Sequence, residues 1–164
     1  MLGISKKIET ASQIDDQLVL PFDRRQKSRL RVVLASGSEA ALLLERGTIL
    51  RGGDLLQADD GRVVKVVAAD QPVLLVQADS AEGLMRAAYH LGNRHVPLQV
   101  GTGWLRLEQD HVLQEMLLGL GMRVSGELAP FEPEAGAYGG GHRHGHDEDD
   151  GPSIKPPARL RKHD

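Results

Sequence analysis

The hydrophobic pattern of this chain changes at Gln71-Pro72, and this change limits the possible folds more than any other feature. Before it, short apolar runs alternate with turn residues, which is typical of β-strands. After it, strand-like runs alternate with segments of helical periodicity. The 164 residues are therefore predicted to form an α+β protein, with a small all-β domain over 1–70 and a second domain over 71–133.

The first part of the chain contains several short apolar runs that predict strands. They cover 18–20, 30–34, 40–44, 55–56 and 63–69. Between them lie Gly-rich or Asp-rich segments, such as Gly52-Gly53-Asp54 and Asp59-Asp60-Gly61, which favour tight turns.

The second part starts with a buried strand over 73–76, followed by a helix. Asp79 with Glu82 three residues later predicts the N-cap, and Gly92-Asn93 predicts the end of the helix. The residues at helical spacing between them form one apolar stripe: Leu84, Ala87, Ala88 and Leu91.

A hairpin and a second helix follow. Segments 98–100 and 104–107 predict the hairpin, and Asp110 predicts the N-cap of a helix that ends near Gly121. The apolar face of this helix consists of Leu113, Met116, Leu117 and Leu120. With a last strand over 123–128, the order β-α-β-β-α-β is typical of a ferredoxin-like domain.

Residues 134–164 are rich in Gly, Pro, His and acidic side chains, and their lack of apolar periodicity predicts a disordered tail. The tail contains four histidines: His142, His144, His146 and His163. Imidazole favours Ni(II), Cu(II) or Zn(II), so the tail is a candidate metal-binding segment, with a merely solvating tail as the alternative. Two such small folded domains bury limited surface, so a homodimer is expected.

Two histidines of the folded part are further candidates. His95 lies between Gly92 and Pro97 in the connection from helix to strand, where a rigid scaffold often carries binding groups. His111 lies in the first turn of the second helix and is predicted to face solvent. For both residues, a metal ligand and an ordinary surface histidine remain open from spacing alone.

Several function classes are disfavoured. The chain has no cysteine, which excludes thiolate metal sites and Cys nucleophiles, and it shows no Gly-x-Ser-x-Gly, Walker or His-Glu-x-x-His motif of an enzyme. A net charge of -3 and few aromatic residues disfavour nucleic acid as a partner. Because no apolar run approaches membrane-spanning length and no export signal is visible, we expect a cytoplasmic protein with no membrane partner.

One basic group stands out in the first part of the chain. It could dock a protein, but the solvent-facing side of a strand and its turn is the simpler interpretation. The group comprises Arg24, Arg25, Lys27, Arg29 and Arg31.

Residues 89–99, with the sequence Tyr-His-Leu-Gly-Asn-Arg-His-Val-Pro-Leu-Gln, resemble the UreE family of urease accessory proteins, which are nickel chaperones. Segment 110–113, with the sequence Asp-His-Val-Leu, and the His-rich tail extend the likeness. Similar segments upstream, 46–54 and 60–64, extend the resemblance to most of the chain.

The resemblance implies a homodimer in which His95 of each subunit binds one Ni(II) at the two-fold axis. It also implies that His111 is a further metal position, although Gln109 stands where some members carry another histidine. The first domain would resemble a chaperone peptide-binding fold. The implied role is delivery of nickel to the accessory GTPase UreG and the apo-urease activation complex, with Zn(II) or Cu(II) able to bind in vitro.

Two other functions remain open at this point. One is a nickel or zinc storage protein whose tail is the functional part. The other is a protein-interaction module in which the first domain docks peptides and the histidines serve solubility.

Overall fold

The computed structural model describes residues 1–136, and the chain is an α+β protein, as its periodicity predicts. Strands outnumber helices in this part of the chain. The first sheet contains β1 (Leu2–Ile8), β2 (Asp16–Leu20), β3 (Arg29–Val33), β4 (Glu39–Leu43), β5 (Leu55–Ala58) and β6 (Val63–Ala68), and α1 (Phe22–Arg25) connects β2 to β3. The second sheet contains β7 (Asp70–Gln77), β8 (Gln99–Gly101), β9 (Trp104–Glu108) and β10 (Arg123–Pro130), with helices α2 (Ala81–Asn93) and α3 (His111–Gly119).

The first sheet has the order β2-β6-β5-β1-β4-β3, with β1 parallel to β4 and β2 parallel to β6. Aliphatic side chains fill its core, among them Ile4, Leu18 and Leu42. Strand β1 and helix α1 were not predicted. Ile4 is the only residue of β1 that is fully buried, and the Lys6-Lys7 pair hides the strand pattern.

The second sheet is antiparallel, with the order β10-β7-β9-β8. Its elements follow one another along the chain as β-α-β-β-α-β, the order that the periodicity predicts. Leu91 of α2 and Leu117 of α3 are completely buried against Leu74 and Leu107 of the sheet. The two apolar stripes read from the sequence therefore form this core.

The strand predicted over 73–76 is longer in the structure, because Gln71 and Pro72 also lie inside β7. Pro72 is opposite Leu128 of β10, whereas pairing with β9 begins only at Val73. Pro72 thus has a neighbouring strand on one side, where a missing N–H is tolerated. The apolar pattern alone does not reveal this extension.

The first helix cap also differs from the prediction. Ser80, not Asp79, is the N-cap of α2, and its Oγ accepts a hydrogen bond from Gly83 N at 3.0 Å. Asp79 pairs instead with Arg123. The N-cap of α3 is Asp110, as predicted; its Oδ1 accepts from Leu113 N at 2.9 Å.

The two sheets are joined by a small aromatic cluster. Phe22 of α1 packs edge-to-face on Phe131, with ring centroids 5.5 Å apart, beside Val73 and Ala129. Gln71 Oε1 accepts a hydrogen bond from Phe22 N at 2.9 Å. These contacts hold α1 against the end of β10.

The first residue of the predicted tail is still hydrogen-bonded to the rest of the chain. Glu134 N donates to Leu98 O at 2.8 Å, so the chain is still attached to the second sheet at this residue. Residues 137–164 lie outside the described part. Among the helices of residues 1–136, none is long and apolar enough to cross a membrane.

Candidate functional site

Helix α2 ends in a hydrogen-bonded loop that fixes the position of His95. Two backbone bonds close the loop: His95 N donates to Gly92 O at 3.0 Å, and Val96 N donates to Leu91 O at 3.4 Å. This pair of bonds is the Schellman motif, in which the residue after the C-cap takes a left-handed conformation. Arg94 is the C-cap, so His95 takes that position.

His95 has φ of 54°, and it is the one non-glycine residue with positive φ in the described part of the chain. Glycine is usual at this position because a Cβ is disfavoured there. Non-glycine residues in this conformation concentrate at functional sites, where the surroundings hold them in place. The side chain is exposed, so a rigid loop presents an imidazole to solvent.

His95 lies at a cleft of about 930 Å³ between the two sheets. Val96 and Leu98 form part of one wall, and Ile49 forms part of the other. Charged residues of both walls also face the cleft: Glu45, Arg51 and Glu134. The cleft therefore combines apolar surface with carboxylate and guanidinium groups beside one imidazole.

Arg25 binds two segments that adjoin this cleft, since Leu50 lies between the lining residues Ile49 and Arg51, and Glu132 precedes Pro133. Its guanidinium is completely buried, donates to Leu20 O at 3.1 Å and Leu50 O at 3.0 Å, and also donates to Phe131 O. It pairs with Glu132 as well. Burial lowers the pKa of Arg25 from its usual value, although the Glu132 carboxylate acts in the opposite direction.

The burial of Arg25 shows that the interpretation of the basic group as a solvent-facing surface is wrong for this residue. Arg25 does not lie on a solvent-facing strand surface; it ties the first sheet to the segment after β10. Lys27, Arg29 and Arg31 are exposed, in agreement with that interpretation. No sequence signal separates Arg25 from its neighbours, because its carbonyl partners lie up to 106 positions away.

His111 is at the start of α3, exposed as predicted, and its Nε2 lies 3.2 Å from Oε1 of Glu115 one turn later. Within residues 1–136, no three His, Asp or Glu side chains form a group that could hold a metal ion. The structure therefore does not bring His95 and His111 into one such group. His142, His144, His146 and His163 lie outside the described residues.

The described site is chemically incomplete for tight metal binding by one chain. A neutral imidazole provides one nitrogen ligand, whereas Ni(II), Cu(II) and Zn(II) take several. The sequence identified His95 as a candidate but not its left-handed conformation. Pro97 is the sequence signal that could have predicted this conformation, since proline commonly follows soon after a helix that ends in a left-handed residue.

The fold and the site define a class: an α+β protein with two β-sheets and an exposed, rigidly held histidine at the cleft between them. Two family models match consecutive parts of the chain. The model described as "UreE urease accessory protein, N-terminal domain" matches residues 2–69, and its C-terminal counterpart matches residues 71–159. The chain belongs to the UreE family of urease accessory proteins.

Individual relatives support the same family. A urease accessory protein UreE from Cupriavidus necator is 63% identical over 131 residues, which cover 80% of this chain and 68% of the relative. One from Janthinobacterium sp. is 55% identical over 139 residues, covering 85% and 82%. One from Cupriavidus pinatubonensis is 64% identical over 131 residues, covering 80% of this chain and 59% of the relative.

Proposed function

We propose that this protein is a nickel carrier that delivers Ni(II) during assembly of the urease metallocentre. The observation that carries the proposal is the exposed imidazole of His95, fixed in a left-handed loop at the cleft. Family membership supports the link to urease maturation. The chain acts as a carrier and not as an enzyme, since binding and release of the ion require no covalent chemistry.

The proposed primary site is shared by two copies of the chain. In a symmetric dimer, the same residue approaches the two-fold axis from both subunits, so one His95 per chain supplies two nitrogen ligands. The exposure of His95 in the single chain leaves its imidazole available for this pairing. An ion that binds only the paired form also stabilises the dimer.

His111 and the tail histidines are proposed as secondary ligands. His111 is exposed and lies beside Glu115, and it is the weaker candidate because Gln109 stands where some members of the family carry another histidine. The described chain reaches Gly136 at the cleft, and His142 follows six residues later. Such a segment spans at most about 20 Å, enough to bring tail imidazoles near His95.

Release of the ion is proposed to occur by ligand exchange. Imidazole coordination without thiolates leaves positions open to the ligands of an acceptor. The proposed acceptors are the accessory GTPase UreG and the apo-urease activation complex, in the cytoplasm. Zn(II) and Cu(II) are expected to compete in vitro because both accept imidazole.

We also propose that the chain is organised as a β domain over 1–70, a ferredoxin-like metal-binding domain over 71–133, and a His-rich tail over 134–164. The change from one family model to the other between residues 69 and 71 supports the first boundary. The separate cores of the two sheets support it as well.

The experiment is a calorimetric nickel titration of four forms: the full chain, the chain ending at Gly136, and each of these with His95→Ala. We expect the shortened chain to bind fewer ions but to keep the tightest site, and His95→Ala to remove that site from both. His111→Ala is the matched control, since it also deletes one exposed imidazole.

Nickel transfer separates delivery from the two alternatives. The loaded full-length protein is mixed with apo-urease and its accessory proteins, and urease activity is measured. A storage protein would hold nickel without activating urease. A protein-interaction module would support urease activation equally well with and without His95→Ala. The proposal predicts activation that depends on His95.

A further inference from the structure

Strand β3 is an outer strand of the first sheet, and its solvent side is basic. Arg29 and Arg31 are exposed, as is Lys27 just before the strand. Within residues 1–136, none of these three has a carboxylate within 4.0 Å. The charge of this edge is therefore opposite to the net charge of -3 of the whole chain.

The backbone of β3 also has free hydrogen-bonding positions. Leu44 N donates to Ser28 O, and Leu34 N donates to Ser38 O. These two bonds show that every second residue, counted from Ser28 to Leu34, directs its backbone N–H and C=O groups toward β4. Because inward and outward groups alternate in an antiparallel pair, Arg29, Arg31 and Val33 direct their N–H and C=O groups away from β4. Arg24 donates to Arg31 O at 3.1 Å and is the one side chain that contacts this edge in the described hydrogen bonds.

The neighbouring edge belongs to β2, and the two strands separate. Ala35 N donates to Gln17 O at 2.9 Å at one end. No other backbone hydrogen bond joins β2 to β3 in the described part of the chain. Beyond that bond lies a depression of about 250 Å³, lined by Val19, Val33 and Arg31 among others.

Apolar side chains surround this depression although they face solvent. Val33 is 63% exposed, Val19 is 47% exposed, and Met1 also lines the depression. Lysine and arginine on an outer strand are a known protection against pairing between sheets. Protection alone does not account for exposed valines beside the arginines, since apolar surface on an edge favours association.

We infer that the edge of β3 binds an extended acidic segment of a partner protein, which adds to the sheet as a further strand. Two carboxylates of the segment pair with Arg29 and Arg31, and an aliphatic side chain lies between Val19 and Val33. The exposed hydrogen bond from Arg24 to Arg31 O is replaced, and Arg24 then also contacts the acidic segment.

The geometry fixes the sequence pattern of the partner. Arg29, Arg31 and Val33 point to the same face, so the opposing side chains come from alternate positions of the added strand. For antiparallel addition, which gives the more stable pairing, the order is aliphatic, any, acidic, any, acidic. Glu39 lies across from Val33 on β4, which disfavours a carboxylate at the aliphatic position.

The test uses a fluorescent peptide containing Val-Thr-Glu-Thr-Glu and a second peptide with lysine in place of glutamate. Both are titrated with the full-length protein, and anisotropy is measured. We expect the glutamate peptide to bind, the lysine peptide not to bind, and added salt to weaken binding. Arg29→Glu combined with Arg31→Glu should weaken binding by about tenfold, as expected for two lost cross-strand charge pairs.

The matched control is Lys6→Glu combined with Arg46→Glu, which changes the net charge equally at exposed positions off β3. It should bind the glutamate peptide like the natural chain. Val33→Thr keeps strand propensity while removing apolar surface, so it should also weaken binding. It is the variant to use if the double arginine variant does not fold. His95→Gly should bind the peptide normally, because the inference does not depend on the nickel site.

Three results would overturn the inference. One is equal binding of the two peptides, or no binding of either. Another is loss of binding in the control pair, which would place the peptide in the cleft next to Arg46. The third is self-association of the double arginine variant together with no peptide binding by the natural chain, which would show that the arginines serve only to keep sheets apart.

Discussion

His95, the proposed nickel ligand, has an unusual backbone conformation for a non-glycine residue. Its left-handed conformation is one that a side chain disfavours by roughly 1–2 kcal/mol. The Schellman hydrogen bonds and the packing of Leu91 and Val96 in the second core hold the loop nevertheless. Because glycine would suit this position better for folding, the histidine supports the proposal that His95 binds nickel.

The first prediction follows from this conflict. His95→Gly should leave the protein as stable or raise its free energy of unfolding by up to about 1 kcal/mol, because glycine removes the Cβ penalty. The same change should abolish the tightest nickel site. His95→Val should destabilise by about 1–2 kcal/mol, since a β-branched residue fits this conformation poorly. Urea unfolding and nickel titration measure both effects; a clear loss of stability in His95→Gly would contradict the interpretation.

A second prediction concerns Asp16 and acid. Hydrogen bonds from the Ser36 hydroxyl, and then from the Gln17 and Ser36 N–H groups, lower the pKa of Asp16 below its usual value of 3.8. A lowered pKa means that the ionised form stabilises the fold above the unfolded pKa, and that this stabilisation is lost as pH falls through the folded value.

Asp16→Asn should therefore lower the urea midpoint more at about pH 6 than at about pH 3, because the stabilisation from the ionised form begins to be lost once the pH falls below the unfolded value of 3.8. Thermal or urea unfolding at the two pH values measures the difference. A gap between variant and natural protein that is the same at both pH values would show that the charge of Asp16 has no role.

At the scale of elements, helix α2 shows what the sequence can predict and where it is ambiguous. Its apolar stripe correctly predicted Ala87 and Leu91 in the core, because burial on one face imposes a 3.6-residue period. Its start was assigned one residue too early, since Asp79 and Ser80 are both good N-cap residues. Asp79 is not the N-cap because its carboxylate pairs with Arg123, which belongs to β10.

The third prediction uses this pair of adjacent residues. Ser80→Ala should cost about 1 kcal/mol, because the bond from Gly83 N to the Ser80 hydroxyl is lost. Asp79→Ala should cost less, since its ion pair with Arg123 is exposed and such pairs contribute little. Chemical denaturation of the two variants ranks them, and the reverse ranking would restore Asp79 as the effective cap.

At the scale of the whole molecule, contacts between distant segments are what sequence patterns did not predict. The α+β class, the order of the elements after residue 70 and the exposure of His111 follow from local periodicity and capping residues. The cleft beside His95 and the burial of Arg25 do not, because both arise where segments far apart in sequence meet. Strand β1 was missed for a local reason: Ile4 is its one fully buried residue, and Lys6-Lys7 interrupt the apolar pattern.

The fourth prediction tests the tie between the two sheets. Arg25→Ala should lower the free energy of unfolding by about 3 kcal/mol, because it leaves buried carbonyls and Glu132 without their donor. Arg24→Ala, which removes one exposed hydrogen bond, should cost less than about 1 kcal/mol. Equal effects of the two variants in urea unfolding would show that the buried guanidinium does not hold the sheets together.

In the proposed dimer, one nickel ion is shared between the His95 residues of the two subunits. Nickel titration of the chain ending at Gly136, with the molar mass measured in parallel, tests it directly because the tail histidines are absent. We expect one tight nickel ion per dimer, lost in His95→Ala and kept in His111→Ala, with weaker binding in acid because imidazole ligands must be deprotonated. An unchanged tight site in a properly folded His95→Ala dimer would contradict it.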